Sequence, residues 1–412
     1  MKLILIKNFA FYSVLIIQLT LLLDIIQTIL GLNFPLLRYF LYFIAACFLF
    51  KAVQKHSLSL SILNRKNIFI VLFLFWIILL LIAAIPQLFN EYRNYIRLKQ
   101  FLSGMGYIYL ISFFVILKPN LLFYKYYFKL ALILAIIYLI ITIPLLNYFT
   151  IASAKKQVEG YGVFFAAGAS IILLTFTYHS KRINIISIVT ILLVLILNML
   201  HARRNQVLYF SSILFFSYCI HIFHQSNYMR KGKLRRIMYS SFLVILLSFV
   251  LYVNLEQFSF FWERSQTGME SREGIIDLFI EDFNSKPKDW IWGRGIFGEF
   301  QGGILALDDD TGMRDIIENG YLYLILKGGW IYLSLLIIIS LKAVYNGFLK
   351  SKNLLCKAFA CIILTYFIDM IGFGLPSTML KYIIVFIAIG GCYSNELLQC
   401  PDEYLSKKIG LK

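Results

Sequence analysis

Long apolar runs recur along this whole chain, and they constrain its fold more than any other feature. Of its 412 residues, 60% are hydrophobic. Runs of about 18 or more apolar residues are long enough to cross a hydrocarbon core roughly 30 Å thick. Because the backbone must satisfy its own hydrogen bonds in lipid, these runs are predicted to be helices; a β-barrel would show short alternating segments. The sequence therefore predicts an all-α, polytopic integral membrane protein that forms a single membrane domain over residues 1–412.

Basic clusters between the apolar runs indicate how the chain crosses the membrane. The twelve predicted spans are residues 9–30, 34–50, 68–89, 101–117, 128–146, 160–178, 183–200, 205–223, 237–255, 320–341, 354–372 and 377–395. Lys and Arg concentrate in alternate connections, most densely at residues 230–236, and such clusters mark the cytoplasmic side. Both termini are therefore predicted to be cytoplasmic. The basic residues act as topology signals here, so nucleic acid is not expected as a partner.

One polar stretch, residues 256–319, interrupts the apolar pattern. It holds fourteen of the chain's 21 acidic residues and six Lys or Arg, so its formal charge is −8 in a chain of net charge +18. With the predicted orientation it forms one large external loop between spans nine and ten. A polar loop of this size is too costly to be a mere connector, so we expect functional residues in or beside it.

The first two segments of this loop carry recognisable local patterns. Residues 271–283 predict an amphipathic helix that caps the membrane domain, with Ile276, Phe279, Ile280 and Phe283 on its apolar face. Further on, Gly293, Gly295 and Gly298 match G-x-G-x-x-G. No strand–helix–strand unit surrounds them, so a dinucleotide site is rejected. The glycines instead predict a tight turn that approaches another backbone closely. Arg294 in this turn either contacts a ligand or is solvated.

The last segment of the loop leads into span ten. Three adjacent acids, Asp308–Asp310, point in different directions, so a solvated turn is favoured over a cation site and no metal is predicted. Next come Arg314, Asp315, Glu318 and Asn319. If this segment is helical, Arg314 pairs with Glu318 and Asp315 with Asn319 at i, i+4 spacing. The alternatives are a salt bridge at the helix entry and a carboxylate that accepts a proton from a sugar hydroxyl.

Charged residues also lie outside the large loop, on the predicted outer side. Arg203 and Arg204 stand in a short link, His201–Gln206, between two long spans. They either extend to lipid head groups or form an anion site, since the guanidinium fork matches phosphate oxygens. Asp24 and Asp369 fall near the outer ends of their spans. Each is expected to form an ion pair with an outer Arg or to line a polar cavity.

Taken in order, these segments resemble the O-antigen polymerase and ligase superfamily. The resemblance covers roughly residues 180–345 and rests on His201-Ala-Arg203-Arg204, Ser271-Arg272-Glu273, Pro287 with Trp292-Gly293-Arg294-Gly295-Ile296-Phe297, and Glu318-Asn319-Gly320-Tyr321-Leu322 leading to Gly328-Gly329. Ligases of this superfamily place a His where this chain has Glu318. The resemblance therefore favours a polymerase of surface-polysaccharide repeat units, whether of O-antigen, capsule or exopolysaccharide.

The resemblance also implies a reaction, its partners and its residues. The reaction is inverting glycosyl transfer, without metal or cofactor, from an undecaprenyl-diphosphate-linked glycan donor to a glycan acceptor. It takes place at the outer face of the bacterial cytoplasmic membrane, alongside a chain-length regulator and a flippase. The implied catalytic residues are Glu318, Asn319 and Arg314, and the implied substrate-binding residues are Arg203, Arg204, Arg272, Arg294, His201 and Tyr321. The alternatives are a ligase and a flippase or transporter, which should carry charged or broken helices near the bilayer midplane.

Overall fold

The described part of the molecule is almost entirely helical. A computed structural model describes residues 8–30, 34–56, 67–88, 94–117, 120–151, 154–201, 203–225, 274–302, 312–372 and 376–411. Among these, seven helices are long and apolar enough to cross a membrane, and two shorter apolar helices accompany them. The prediction of an all-α polytopic membrane protein is confirmed, while twelve as the number of spans stays a prediction. The predicted span 237–255, Arg272 and Asp308–Asp310 lie outside the described residues.

The first half of the chain supplies helices that flank the two central helices, Leu354–Gly372 and Leu380–Tyr393. They are α1 (Phe9–Leu30), α2 (Pro35–His56), α3 (Ile68–Gln87), α4 (Asn94–Gln100, continued by a π-helical turn Phe101–Met105, Gly106–Leu110 and a 3-10 turn Ile111–Ile116) and α5 (Leu121–Thr142). Helices α1 and α2 form a hairpin in which the Ser13 hydroxyl donates to the Ala45 carbonyl at 2.9 Å. Asp24 pairs with Arg38 at 3.2 Å, so its predicted ion pair with an Arg is confirmed.

The next helices lead to the segment that holds Arg203 and Arg204. They are α6 (Leu146–Phe149), α7 (Lys155–Tyr161, continued by a π-helical turn Gly162–Ala166, Ala169–Leu174 and a 3-10 turn Phe176–Tyr178), α8 (Lys181–Leu200) and α9 (Arg204–Gln225). In the large loop, α10 spans residues 274–285 and α11 spans Lys288–Trp292. A two-stranded antiparallel ladder, β1 (Phe300–Gln301) and β2 (Met313–Arg314), pairs Phe300 with Arg314.

The final helices form the centre of the domain. They are α12 (Gly320–Tyr345, followed by a π-helical turn Asn346–Lys350), α13 (Leu354–Gly372), α14 (Leu380–Tyr393), α15 (Asn395–Leu398) and α16 (Asp402–Ile409). Every residue of α14 from Leu380 to Cys392 is buried. Because α14 is buried on all sides, neighbouring helices must surround it, and the domain is built around α13 and α14.

One charged pair lies inside this centre. Asp369 on α13 and Lys381 on α14 join at 2.9 Å, and their side chains are 1% and 2% exposed. The Tyr382 hydroxyl also donates to Asp369 at 3.3 Å. Asp369 was expected to pair with an Arg or to line a cavity; its partner is instead a lysine one helix away. Pairing offsets the large cost of placing either charge alone in an apolar interior.

Candidate functional site

The site is organised around a break in α12. At Gly329 the backbone adopts φ 69° and ψ −176°, which interrupts the helix and frees the carbonyls of the preceding turn. Two of these carbonyls accept hydrogen bonds from the large loop. The Arg294 N–H donates to the Leu326 carbonyl at 2.7 Å, and the Gly295 N–H donates to the Lys327 carbonyl at 3.1 Å. The loop is therefore docked on α12 by its main chain.

Side chains complete this contact. The Trp76 indole of α3 donates to the Gly328 carbonyl at 3.0 Å. The Lys327 ammonium is fully buried and donates to the Gly298 carbonyl at 2.8 Å. The three carbonyls freed by the break are thus all occupied by protein donors, as a low-dielectric environment requires.

Residues 293–298, which we call the loop turn, can dock in this way only because glycine lacks a Cβ. Gly293 and Gly295 have φ of 70° and 81°, in the left-handed region. A Cβ on Gly293 would lie 2.6 Å from the amide nitrogens of Gly328 and Gly329. The predicted tight turn with a close backbone approach is confirmed, and the backbone that it approaches is that of α12.

Arg294 is held on every side within the loop. Its guanidinium contacts Asp282 at 2.5 Å and Asp289 at 2.6 Å, donates to the Glu299 carbonyl at 2.8 Å, and lies 4.5 Å from the Phe283 ring centre. With 14% of its side chain exposed, it is not the solvated arginine that was one alternative. Its contact with a ligand stays a prediction.

The electrostatics of Asp282 follow from this arrangement. Burial alone would raise the pKa of Asp282, but hydrogen bonds from the Arg294 guanidinium and the Gln301 N–H outweigh burial and hold the pKa below its usual value. Asp282 therefore stays ionised as a structural counter-charge.

The predicted amphipathic helix exists as α10, with its apolar face shifted from the prediction. Ile275, Phe279 and Phe283 are buried, whereas Ile280 is 38% exposed. The Phe279 and Phe283 rings pack against Trp290, so the loop has an apolar centre of its own. The buried residues Ile275, Phe279 and Phe283 form an i, i+4, i+8 row along the helix. The sequence pattern does not distinguish this row from the adjacent one through Ile276 and Ile280.

The entrance to α12 differs from one expectation. The helix begins at Gly320 and Arg314 lies in β2, so this segment is not helical and the condition for i, i+4 pairing of Arg314 with Glu318 and of Asp315 with Asn319 is not met. Asn319 caps the helix: its side-chain oxygen accepts from the N–H groups of the second and third residues after it, at 3.0 and 3.2 Å. Glu318 directly precedes this cap, beside the positive end of the α12 dipole.

The segment from His201 to Arg204, which we call the arginine turn, is held by contacts of His201 and Arg203. The His201 imidazole is buried, and its Nε2–H donates to the Phe149 carbonyl at 2.6 Å. Arg203 pairs with Glu159 at 2.8 Å, and its Nε has no hydrogen-bond partner among the described residues. Glu159 was not predicted; the available signal was an isolated acid directly before Gly160-Tyr161-Gly162 on a predicted outer segment.

The end of α13 brings the arginine turn and the entrance to α12 to one place. A Cβ on Gly372 would collide with the side chain of Asn205, next to Arg204. Two residues earlier, Met370 packs against Gly320, and five residues earlier the Phe367 carbonyl accepts a hydrogen bond from the Tyr321 hydroxyl at 2.8 Å. Asn205, which follows the arginine turn, and Gly320 and Tyr321, which begin α12, therefore all contact the last turns of α13.

The chemistry available at this end of α13 is anion binding beside a carboxylate. Guanidinium groups can hold phosphate oxygens, and a carboxylate can accept a proton. Within the described residues, no group of three or more His, Cys, Asp and Glu is placed to hold a metal ion. A scan against protein-family models and a search of curated proteins find no match for this chain.

Proposed function

We propose that this protein polymerises undecaprenyl-diphosphate-linked oligosaccharide repeat units into a surface polysaccharide at the outer face of the bacterial cytoplasmic membrane. The observation that carries the proposal is that Asn205, directly after the arginine turn, and Gly320 and Tyr321, at the entrance to α12, contact the same end of α13. These are two of the four segments on which the resemblance to the polymerase and ligase superfamily rests, and about 115 residues separate them in the sequence.

The proposed step is direct displacement at the anomeric carbon of the donor glycan. A hydroxyl oxygen of the acceptor forms the new glycosidic bond as the bond from the anomeric carbon to the diphosphate oxygen breaks. The electron pair leaves with the lipid diphosphate, and the hydroxyl proton passes to Glu318. Fixed positive charge beside the departing diphosphate stabilises the transition state without a metal ion.

The arginines are not equally suited to bind the departing diphosphate. Arg203 and Arg204 belong to the arginine turn, where Arg203 pairs with one carboxylate among the described residues and its side chain is 25% exposed. Arg294 already satisfies two carboxylates. A diphosphate can therefore displace or share the partner of Arg203 at much lower cost than the partners of Arg294. We assign diphosphate binding to the arginine turn and expect Arg294 to act through the position of the loop.

The test replaces Arg203 and examines glycan length in a strain that lacks the chromosomal copy. Arg203→Ala is expected to leave single repeat units in place of long chains, while the protein still inserts in the membrane. Glu159→Gln is the matched control, since it removes the ion pair and keeps the guanidinium; long chains are expected to persist. Normal chains with Arg203→Ala would reject the diphosphate site.

A transporter of lipid-linked glycans is the second candidate, and the break in α12 favours it. A broken helix beside a buried lysine is what a transport site would contain. Against it, the freed carbonyls of Leu326, Lys327 and Gly328 are all occupied by protein donors. Deletion of the gene separates the two candidates: lipid-linked single repeat units at the outer face support polymerisation, and their accumulation on the cytoplasmic side supports transport.

A further inference from the structure

Ile291 and Trp292, which we call the tip of the large loop, lie beside the middle of a membrane span. Trp76 stands eight residues after Ile68 and eleven before Gln87 in α3, or about 12 Å and about 16 Å from the two ends at 1.5 Å per residue. The Trp292 ring of the loop stacks on Trp76 with centroids 5.5 Å apart. Helix α3 has a mean hydropathy of 3.4, which no other candidate span reaches. A loop residue therefore reaches the depth of an entirely apolar helix.

The tip also presents apolar side chains outward. Ile291 and Trp292 are 50% and 56% exposed. Along α3, Ile78, Leu79 and Ile82 are exposed as well, on the helix that Trp292 contacts. Large apolar groups exposed in water are costly, whereas the same groups facing acyl chains are not. The exposed tip continues the apolar exterior of α3.

The backbone of the tip meets the condition for lying in lipid. Non-helical backbone at membrane depth is tolerated only where protein groups satisfy it. The Gly293 N–H donates to the Asp289 carbonyl at 2.8 Å, and the next two N–H groups donate to carbonyls that the α12 break frees. The loop turn and the broken helix therefore supply each other's hydrogen-bond partners.

The charges next to the tip are accommodated as well. Asp289 is neutralised by Arg294 at 2.6 Å, inside the loop. Lys288 lies one turn before Trp292, and its long apolar stem can carry its ammonium towards the head groups.

From these observations we propose that the large loop is re-entrant: Ile291 and Trp292 enter the hydrocarbon core and contact the acyl chains of bilayer lipids. This inference goes beyond the proposed function and does not depend on the reaction. Part of a loop that the sequence predicts to be external thus becomes a membrane-embedded element.

The first test measures depth by fluorescence quenching in proteoliposomes of phosphatidylcholine brominated at defined acyl positions. One variant retains only Trp292, with the other four tryptophans replaced by phenylalanine. The matched control retains only Trp290, which packs on Phe279 and Phe283 inside the loop. Quenching of Trp292 is expected to exceed that of Trp290 at least twofold and to be strongest with mid-chain bromines. Equal quenching of the two would overturn the proposal.

The second test leaves every tryptophan in place. Ile291→Cys and Lys288→Cys are compared in a background whose six native cysteines are replaced by alanine. Both positions are exposed and lie in the same short helix. A membrane-impermeant maleimide is expected to label Lys288→Cys at least tenfold faster, because the thiolate forms only in contact with water. Equal labelling, whether fast or slow, would contradict the re-entrant tip.

Discussion

The loop turn and the arginine turn look alike in the sequence but differ in the folded protein. Each is a short polar turn with arginine between apolar segments. Arg294 in the loop turn contacts two carboxylates, a carbonyl and an aromatic ring, with 14% of its side chain exposed. Arg203 in the arginine turn contacts one carboxylate, with 25% exposed. An arginine that is held by two carboxylates builds structure, while one whose Nε has no hydrogen-bond partner among the described residues can bind an anion.

The largest effect is expected where the loop turn meets α12. In Gly329→Ala the new Cβ would collide with the backbone of Ile291 at a φ that disfavours a side chain. We expect little folded protein after extraction, as measured by size-exclusion chromatography in detergent. Gly160→Ala is the control, since no atom lies within 4 Å of its Cβ position; a normal yield of Gly329→Ala would show that the loop does not dock on the break.

Removal of the Arg294 guanidinium should have the second-largest effect on stability. Arg294→Ala leaves Asp282 and Asp289 partly buried without their partner, and we expect the free energy of unfolding to fall by about 2–4 kcal/mol. Thermal unfolding in detergent measures this. Arg294→Lys keeps the charge but loses the fork, so an intermediate value is expected. An unchanged midpoint for Arg294→Ala would remove the distinction between the two turns.

Acidification should weaken the same contact more gradually. Because the folded-state pKa of Asp282 lies below its unfolded value of about 3.9, its contribution to stability is complete above that value and is lost as pH falls through the folded pKa. The thermal midpoint is therefore expected to drop below about pH 4. Asp282→Asn should lower the midpoint at neutral pH and reduce this drop; an undiminished drop would assign the acid sensitivity to other carboxylates.

The smallest effect on stability is expected at the arginine turn. Arg203→Ala removes one partly exposed ion pair, and such pairs contribute about 0–1 kcal/mol. Its thermal midpoint should stay close to that of the unchanged protein, although polymer formation is lost. A fall as large as that of Arg294→Ala would mean that Arg203 too is a structural residue.

The sequence predicted what depends on local pattern. Apolar length located the seven described helices that are long enough to cross a membrane, and the spacing of Gly293 and Gly295 predicted a turn close to another backbone. Both signals are carried by consecutive residues. In the structure, the apolar face of α10 includes Ile275 and leaves Ile280 exposed. The sequence did not predict this, because isoleucines at 275, 276 and 280 fit two overlapping helical rows equally well.

The sequence did not predict which charged residues pair with each other. The Glu159–Arg203 and Asp369–Lys381 pairs depend on how helices pack, and several acids and bases on the same predicted side compete for each place. The break in α12 was also missed. Glycine pairs are common where membrane helices pack closely, so Gly328-Gly329 alone does not reveal a left-handed backbone.

The contact between Gly293 and Gly329 has a consequence for how this protein can change over time. Thirty-six positions apart in the chain, the two glycines lie on opposite sides of one interface, and a Cβ on either would collide with backbone atoms of the opposite segment. A larger residue at either position moves the same pair of segments, so the effects of two substitutions should not add. Because both collisions are with backbone atoms, no side-chain change on the opposite segment relieves either of them, and both positions should remain glycine wherever the loop stays docked on α12.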